Sequence, residues 1–536
     1  MSMNFDLTTS SFLGKRRFRQ LRDTDSLEKI LVLDFGAQYA HLICRRIREL
    51  GVYAELAPFD ISPAEIRQRK AKGIIFSGGP KSVYSRGSPL PQRKIYGIGL
   101  PILGICYGLQ AIVHQNGGKV LRSTRREFGK ASLELKADTP LFKGLGSTAI
   151  CWMSHGDAAE TLPAGFDSIA STENSPYAAI SSGNMYAVQF HPEVTHTENG
   201  MQILSNFVFE ICGCEKNWTT ENMIEDAMRQ LQERIGPEDR VICALSGGID
   251  SATTAELLQR VIGKRLYCVF VDHGLLRKGE RQRIESAFRG KLGKNLIVED
   301  ESEIFLKKLK GIRDPEKKRQ IIGREFIKTF AKVSKRLGNI KWLAQGTLYT
   351  DIIESAAGAS KHESKIKSHH NVGGLPKRLG FKLVEPLKDL YKDEVRKVAL
   401  ALGLPNELVN THPFPGPGLS VRIIGAVTKE KLEICREASA VVEEELSLAG
   451  LYNDVWQAYG FVGDDLATGV LGDERRVGHI VTVRIVESRE AMTADWSRVP
   501  YSLLEKISSR ITNEIPNVTW VTYAISSKPP STIEPQ

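Results

Sequence analysis

Long apolar runs are missing from this 536-residue chain. No stretch approaches the roughly 18 uncharged apolar residues of a membrane span. The N-terminus has no apolar core of the signal-peptide kind, which argues against export. Cysteine is sparse and scattered, at Cys44, Cys106, Cys151, Cys212, Cys214, Cys243, Cys268 and Cys435. Only Cys212 and Cys214 lie close together, and a one-residue gap fits neither a zinc knuckle nor a Cys-x-x-Cys redox pair. Reduced thiols in a cytoplasm are the expectation. No recognised nucleic-acid module is present and aromatics do not interleave with basic residues, so no specific nucleic-acid partner is expected. The remaining composition, 41% apolar and 25% charged, is that of an ordinary globular protein. A formal charge of +10 points to anionic partners. It is concentrated in Lys15, Arg16, Arg17, Arg19 and Arg22, and again between Lys307 and Arg336.

The chain is long enough for roughly three or four domains. Residues 1–27 carry no apolar period and are expected to be a flexible basic extension. From 28 to 215, strand-like runs at Ile30–Leu33, Gly73–Phe76, Pro101–Ile105 and Met185–Phe190 alternate with helical patterns, which predicts a largely parallel α/β sheet. A polar amphipathic helix is predicted over 217–240. A second α/β block, 216–410, has strands at Val241–Leu245, Leu266–Val271 and Trp342–Ala344. His412-Pro413-Phe414-Pro415-Gly416-Pro417-Gly418 cannot be helical and opens a smaller α+β domain, 411–536. Within it the pattern predicts helices at Lys429–Leu448 and Pro500–Glu514 and strands at His479–Val486 and Thr519–Ile525. The fold class is thus α/β, with two successive α/β domains and a smaller C-terminal α+β one.

Ser246-Gly247-Gly248-Ile249-Asp250-Ser251 sits between the strand at Val241–Leu245 and a predicted helix at Ala252–Val261. Backbone N–H groups of such a turn converge with the helix N-terminus on one point, where an anion is favoured. Asp250 is out of place in an anion nest unless a Mg2+ lies between it and phosphate. The segment is not a Walker A loop, which would end Gly-Lys-Ser/Thr. It resembles the PP-loop of the ATP pyrophosphatases, and the resemblance implies an ATP site cleaving to AMP and pyrophosphate, with Val271 beside the nucleotide.

Gly104-Ile105-Cys106-Tyr107-Gly108 likewise joins a strand to a helix. Small residues around a nucleophile permit the sharp turn that exposes it, and the helix N-terminus favours the thiolate. His191 is the preferred general base, at a strand end, with Glu193 to orient it; His155 is its rival. Gly78-Gly79 and Tyr107 are candidate donors of an oxyanion hole. This set resembles the class I glutamine amidotransferase domain over residues 28 to about 214. The resemblance implies that Cys106 attacks the glutamine amide and releases ammonia. It also implies that Gln110 and Ser154-His155-Gly156-Asp157 hold the glutamine or face the next domain.

The segments Gln345–Ser355, Ile366–Pro376, Glu385–Leu390, His412–Gly418 and Ser527–Glu534 resemble the GMP synthase family. That resemblance implies XMP as acceptor and a dimer through the C-terminal unit. XMP contacts would come from Lys528, Thr532, Ile533, Glu534 and the backbone of Pro415 and Gly416. It also implies that Lys367 and Arg319–Arg324 sit on a mobile lid. His369 and His370 are read as lining rather than chelating. The chain departs from the family at Thr411, at Phe461–Gly469 and at Pro535-Gln536; the first two remove positive charge that could serve the XMP phosphate. NAD synthetase is normally fused to a different glutaminase type, and CTP synthase uses a different ATP site, which sets both apart.

Overall fold

Short runs of alternately facing apolar residues build the first sheet. A computed structural model describes residues 27–37, 39–136, 138–352, 381–471, 473–488 and 493–536. The chain divides into two compact units, one ending at Asn222 and the other running from Met223 to Gln536. The first unit contains β1 (Lys29–Asp34), β2 (Tyr53–Pro58), β3 (Ala71–Phe76), β4 (Ile102–Ile105), β5 (Lys119–Leu135), β6 (Thr148–Thr161), β7 (Asp167–Ser171), β8 (Ala179–Ser182) and β9 (Met185–Val188). They form one sheet in the order β2-β1-β3-β4-β9-β8-β7-β5-β6. From β2 to β9 the neighbours are parallel; from β9 onward they are antiparallel. Side chains alternate between faces: Ile30, Val32, Ile75 and Leu103 enter one core, and Leu31, Leu33, Ile74 and Ile102 the other. The four strands expected from sequence are β1, β3, β4 and β9, each within two residues of the expected limits.

In the second unit β10 (Arg240–Leu245), β11 (Leu266–Asp272), β12 (Leu296–Asp300), β13 (Ile340–Ala344) and β14 (Lys382–Val384) form a parallel sheet in the order β12-β11-β10-β13-β14. The order reverses at β10, and the loop after it opens at the carboxyl edge of the sheet, where open α/β folds bind ligands. A second sheet follows, of β15 (Gln457–Leu471), β16 (Glu474–Glu487), β17 (Asp495–Trp496) and β18 (Val518–Tyr523). β15 and β17 run antiparallel to β16, and β18 runs parallel to it. The helices Lys429–Leu448 and Tyr501–Glu514 have almost the expected limits. The expected boundary at 410/411 falls inside this unit: one apolar core runs from Ile242 and Val269 through Leu432 and Val442 to Val483 and Ile507.

Arg319–Arg324, expected on a mobile lid, are helical here. They lie in the helix Pro315–Leu337, started by the Asp314 side chain accepting from Lys317 N–H and by Pro315 in the first turn. Its buried Ile322, Phe330 and Val333 recur at helical spacing and hold it on the core. The extension 1–26, Ile353–Ser355 and the whole Ile366–Pro376 segment, with Lys367, His369 and His370, lie outside the described residues. Among the described residues no helix is long and apolar enough to cross a membrane.

Candidate active site

Cys106 directly follows β4 and caps the helix Tyr107–Gln115 at φ 53°, ψ −102°, a backbone conformation that costs a non-glycine residue energy and clusters at functional sites. Glycines make the turn possible. A Cβ on Gly108 would lie 2.5 Å from the Phe76 carbonyl, and one on Gly104 2.7 Å from Gly108, so helix and strand meet backbone to backbone. The Cys106 N–H donates to Val188 O at 2.8 Å, bringing the end of β9 alongside. From there His191 reaches back. A Cβ on Gly78 would stand 3.2 Å from His191 Cε1 and 3.9 Å from Cys106 Cβ, which puts the Gly78-Gly79 turn against both side chains. Gly79 itself packs on the Tyr107 ring, 3.0 Å from an added Cβ, and Tyr107 Oη donates to Pro89 O at 2.7 Å.

His191 Nδ1 bonds Glu193 Oε1 at 2.7 Å, and both residues are buried. Three further bonds fix this segment. His191 N–H donates to Trp152 O at 3.0 Å, Thr197 Oγ1 to His191 O at 2.6 Å, and Arg46 Nε to Glu193 O at 3.0 Å. Burial pushes the imidazolium down, but the Glu193 carboxylate and the Cys106 sulfur outweigh it and hold His191 well above the ordinary histidine range. With Nδ1 held, Nε2 is the nitrogen left for chemistry.

His155 is occupied elsewhere. Its Nδ1 bonds the Asp157 carbonyl at 3.0 Å and its Nε2 bonds Glu127 at 3.1 Å, while Thr172 Oγ1 donates to the other Glu127 oxygen at 2.8 Å. Gln110 Nε2 also donates to Asp157 O, at 2.9 Å. The Ser154 carbonyl, carried by the same strand, lies 3.8 Å from Cys106 Sγ. Gln110, Ser154 and His155 therefore form one wall beside the thiol, with Glu127 as the anchor that no motif revealed.

In the second unit the loop Ser246–Ser251 closes on itself. Ser246 N–H donates to Ser251 Oγ at 3.1 Å, and Ser251 Oγ donates to Gly248 O at 2.9 Å. Gly247 has φ +83°, and a Cβ there would fall 2.4 Å from Glu280 Oε1. The helix Ile249–Ile262 begins at once, so its first N–H groups lack intrahelical acceptors. Gly346 packs on Asp250, 2.9 Å from its backbone carbon when given a Cβ, which accounts for Gly346 in the Gln345–Ser355 segment. Lys392 Nζ donates to both Asp250 carboxylate oxygens, at 2.7 and 2.6 Å; nothing local in the sequence pairs these residues. Val271 is buried near the end of β11.

The loop after β11 meets the proline-rich segment. Leu419 N–H donates to Leu275 O at 2.8 Å, and Arg277 donates twice to His412 O, at 3.2 Å each. His273 is buried, which pulls its imidazole down to about 4, and it accepts from Leu275 N–H through Nδ1 at 3.0 Å. Pro415 is half-buried and Gly416 exposed. The C-terminal tail returns here. Arg422 grips Glu534 with two bonds of 3.0 and 2.9 Å, and Gln457 Nε2 joins Pro413 O at 2.9 Å to Glu534 Oε1 at 2.6 Å. Arg484 donates to Ile533 O at 3.0 Å and to Thr532 O at 2.9 Å. Lys528 is fixed by backbone bonds to Ala494, at 2.7 and 3.1 Å. Thr411, where the family pattern has arginine, turns its hydroxyl to Glu407 O at 2.5 Å. Arg422 and Arg484 are the cations that sequence reasoning missed, since neither sits in a motif.

Residues 31–211 match the model of class I glutamine amidotransferases and residues 444–535 that of the GMP synthase C-terminal domain. Curated relatives match over nearly the full length. The glutamine-hydrolysing GMP synthase of Caldicellulosiruptor saccharolyticus is 50% identical over 95% of this chain and 99% of its own. That of Geobacillus kaustophilus is 52% identical over 95% and 99%. The chain belongs to the glutamine-hydrolysing GMP synthase family. The counterpart in Aquifex aeolicus, 51% identical over 94% of this chain and 99% of its own, agrees. As a member of the GMP synthases it is an enzyme.

Proposed function

We propose that the chain aminates XMP to GMP, taking nitrogen from glutamine and cleaving ATP to AMP and pyrophosphate. The observation that carries this reading is the strained Cys106 turn set against the His191–Glu193 pair, in a chain that also holds a closed Ser246–Ser251 anion loop. The Cys106 thiolate attacks the glutamine side-chain carbonyl, forming the S–C bond. The C–N bond breaks as His191 passes its proton to the departing ammonia. Water then enters against His191 as base and releases glutamate, restoring the thiolate. The backbone N–H groups of Gly79 and Tyr107 are the proposed donors to the developing oxyanion.

At the second site the C2 oxygen of XMP attacks the α-phosphorus of ATP, and the bond to the β-phosphate oxygen breaks. Ammonia adds at C2 and AMP leaves with the former C2 oxygen. Ser246, Gly247, Gly248, Ile249 and Ser251 cradle the pyrophosphate. Asp250 is the carboxylate proposed toward Mg2+: both its oxygens accept from Lys392 Nζ in the structure, so the ion would have to share or take over that contact, and Mg2+ carried by phosphates needs only one or two carboxylates. Bound there, Mg2+ would neutralise charge on the leaving pyrophosphate. Pro415, Gly416, Lys528, Thr532, Ile533 and Glu534 are proposed to hold XMP, and on the same reading the enzyme is a cytoplasmic homodimer.

Incubation with XMP, Mg-ATP and glutamine should yield GMP, AMP, pyrophosphate and glutamate; ADP with phosphate, or preference for deamido-NAD as acceptor, would sink the reading. Cys106→Ala should lose glutamine-dependent synthesis and keep synthesis from added ammonia. Loss of both would refute the division into two sites.

A further inference from the structure

We infer that the side-chain amide of Gln189 is a catalytic residue of the glutamine-hydrolysing site, donating a hydrogen bond that holds negative charge on the Cys106 sulfur. Gln189 follows β9, two residues before His191, and is fully buried. Its backbone is fixed by donation to Ala178 O at 2.8 Å. From there Nε2 points at Cys106 Sγ, 3.7 Å away. The Oε1 of the same amide is buried and has no hydrogen-bond partner among the described residues. An amide buried for structural reasons satisfies both ends, because an unpaired carbonyl forfeits its hydration. Here the donor end is spent on sulfur and the acceptor end is left empty. A methionine would fill the same space without that loss, so the placement of the N–H is what the site retains.

Two other groups meet the sulfur. The Ser154 carbonyl, 3.8 Å from Sγ, accepts from the thiol form only, whereas His191 exchanges its proton with the sulfur. Gln189 adds a donor that is strongest when sulfur carries charge, since hydrogen bonds to ionised groups exceed neutral ones. The effect falls on two moments. Before attack it favours the thiolate. After the S–C bond forms the sulfur is neutral and the bond weakens; when water displaces glutamate the S–C bond breaks and the charge returns to a waiting donor.

The inference rests on Cys106 as nucleophile, which Cys106→Ala tests separately. The discriminating experiment uses the full chain with Gln189→Met and Gln189→Glu, and follows iodoacetamide labelling of Cys106 by mass spectrometry across pH. At neutral pH Gln189→Met should label about ten- to a hundredfold more slowly than the parent. The deficit should close well above the ordinary cysteine value of about 8.5, where the thiolate forms unaided. Gln189→Glu, which replaces a donor by a negative charge, should be slower still at neutral pH. Glutamine-dependent kcat should fall in step while ammonia-driven synthesis, the check on folding, is kept. Equal labelling of Gln189→Met and parent at neutral pH, or a deficit that persists unchanged at alkaline pH, would overturn it, because a packing role alone gives no pH-selective defect.

Discussion

Burial alone would discharge His191, whereas the Glu193 carboxylate 2.7 Å from Nδ1 keeps the imidazolium above its ordinary range. Glu193→Gln removes that carboxylate and keeps the shape. Glutamine-dependent kcat should fall roughly a hundredfold or more, the worth of a positioned acid–base group, with ammonia-driven synthesis unchanged. The linkage has a definite sign. A folded-state value raised above the unfolded one of about 6.5 stabilises the protein fully below that pH, and the contribution fades as pH rises through the raised value. The stability gap between parent and Glu193→Gln, read from urea unfolding, should therefore narrow toward alkaline pH. His155 shows why residue type does not decide a base. It is as buried as His191, but both its nitrogens are committed, to Asp157 and Glu127.

Both reactive turns join a strand to a helix, and in both glycine is required for different reasons. At the thiol turn Gly104 and Gly108 allow backbone contact, while the non-glycine Cys106 takes the positive φ itself. At the anion loop Gly247 supplies the positive φ, +83°, and leaves room for Glu280. Gly247→Ala must pay about 1–2 kcal/mol for the left-handed backbone and displace the Glu280 carboxylate that accepts from Arg277 N–H. AMP formation should be lost with glutamine and with ammonia alike, while Cys106 labelling by iodoacetamide stays at the parent rate; AMP formation at the parent rate would show the loop adapts. Such turns were legible because apolar runs, glycines and helix starts are all local. That Arg319–Arg324 belong to the helix Pro315–Leu337 was less legible, because it is Ile322, Phe330 and Val333, spaced along it, that seat this helix on the core.

In the second unit the C-terminal tail is tied down by Arg422, 1% exposed, which bonds Glu534 and stacks on Tyr459 with 4.0 Å to the ring centroid. Arg422→Met leaves Glu534 in place without its cation. Glu534 is partly exposed, so the loss should fall short of the roughly 3–5 kcal/mol of a fully buried pair, but amide exchange in β15 and β16 should still quicken; unchanged protection there would show the tail is dispensable. Sequence by itself determined the strands around both sites, the two turns and the family, because each is written in residues adjacent along the chain. Tertiary structure alone decided the pairings. Gln189 reaches Cys106 across 83 residues, Arg422 reaches Glu534 across 112, and Lys392 reaches Asp250 across 142. A period of two or 3.6 says which face a side chain takes, but which strand or tail lies opposite that face is settled only when the sheets assemble and the cores close.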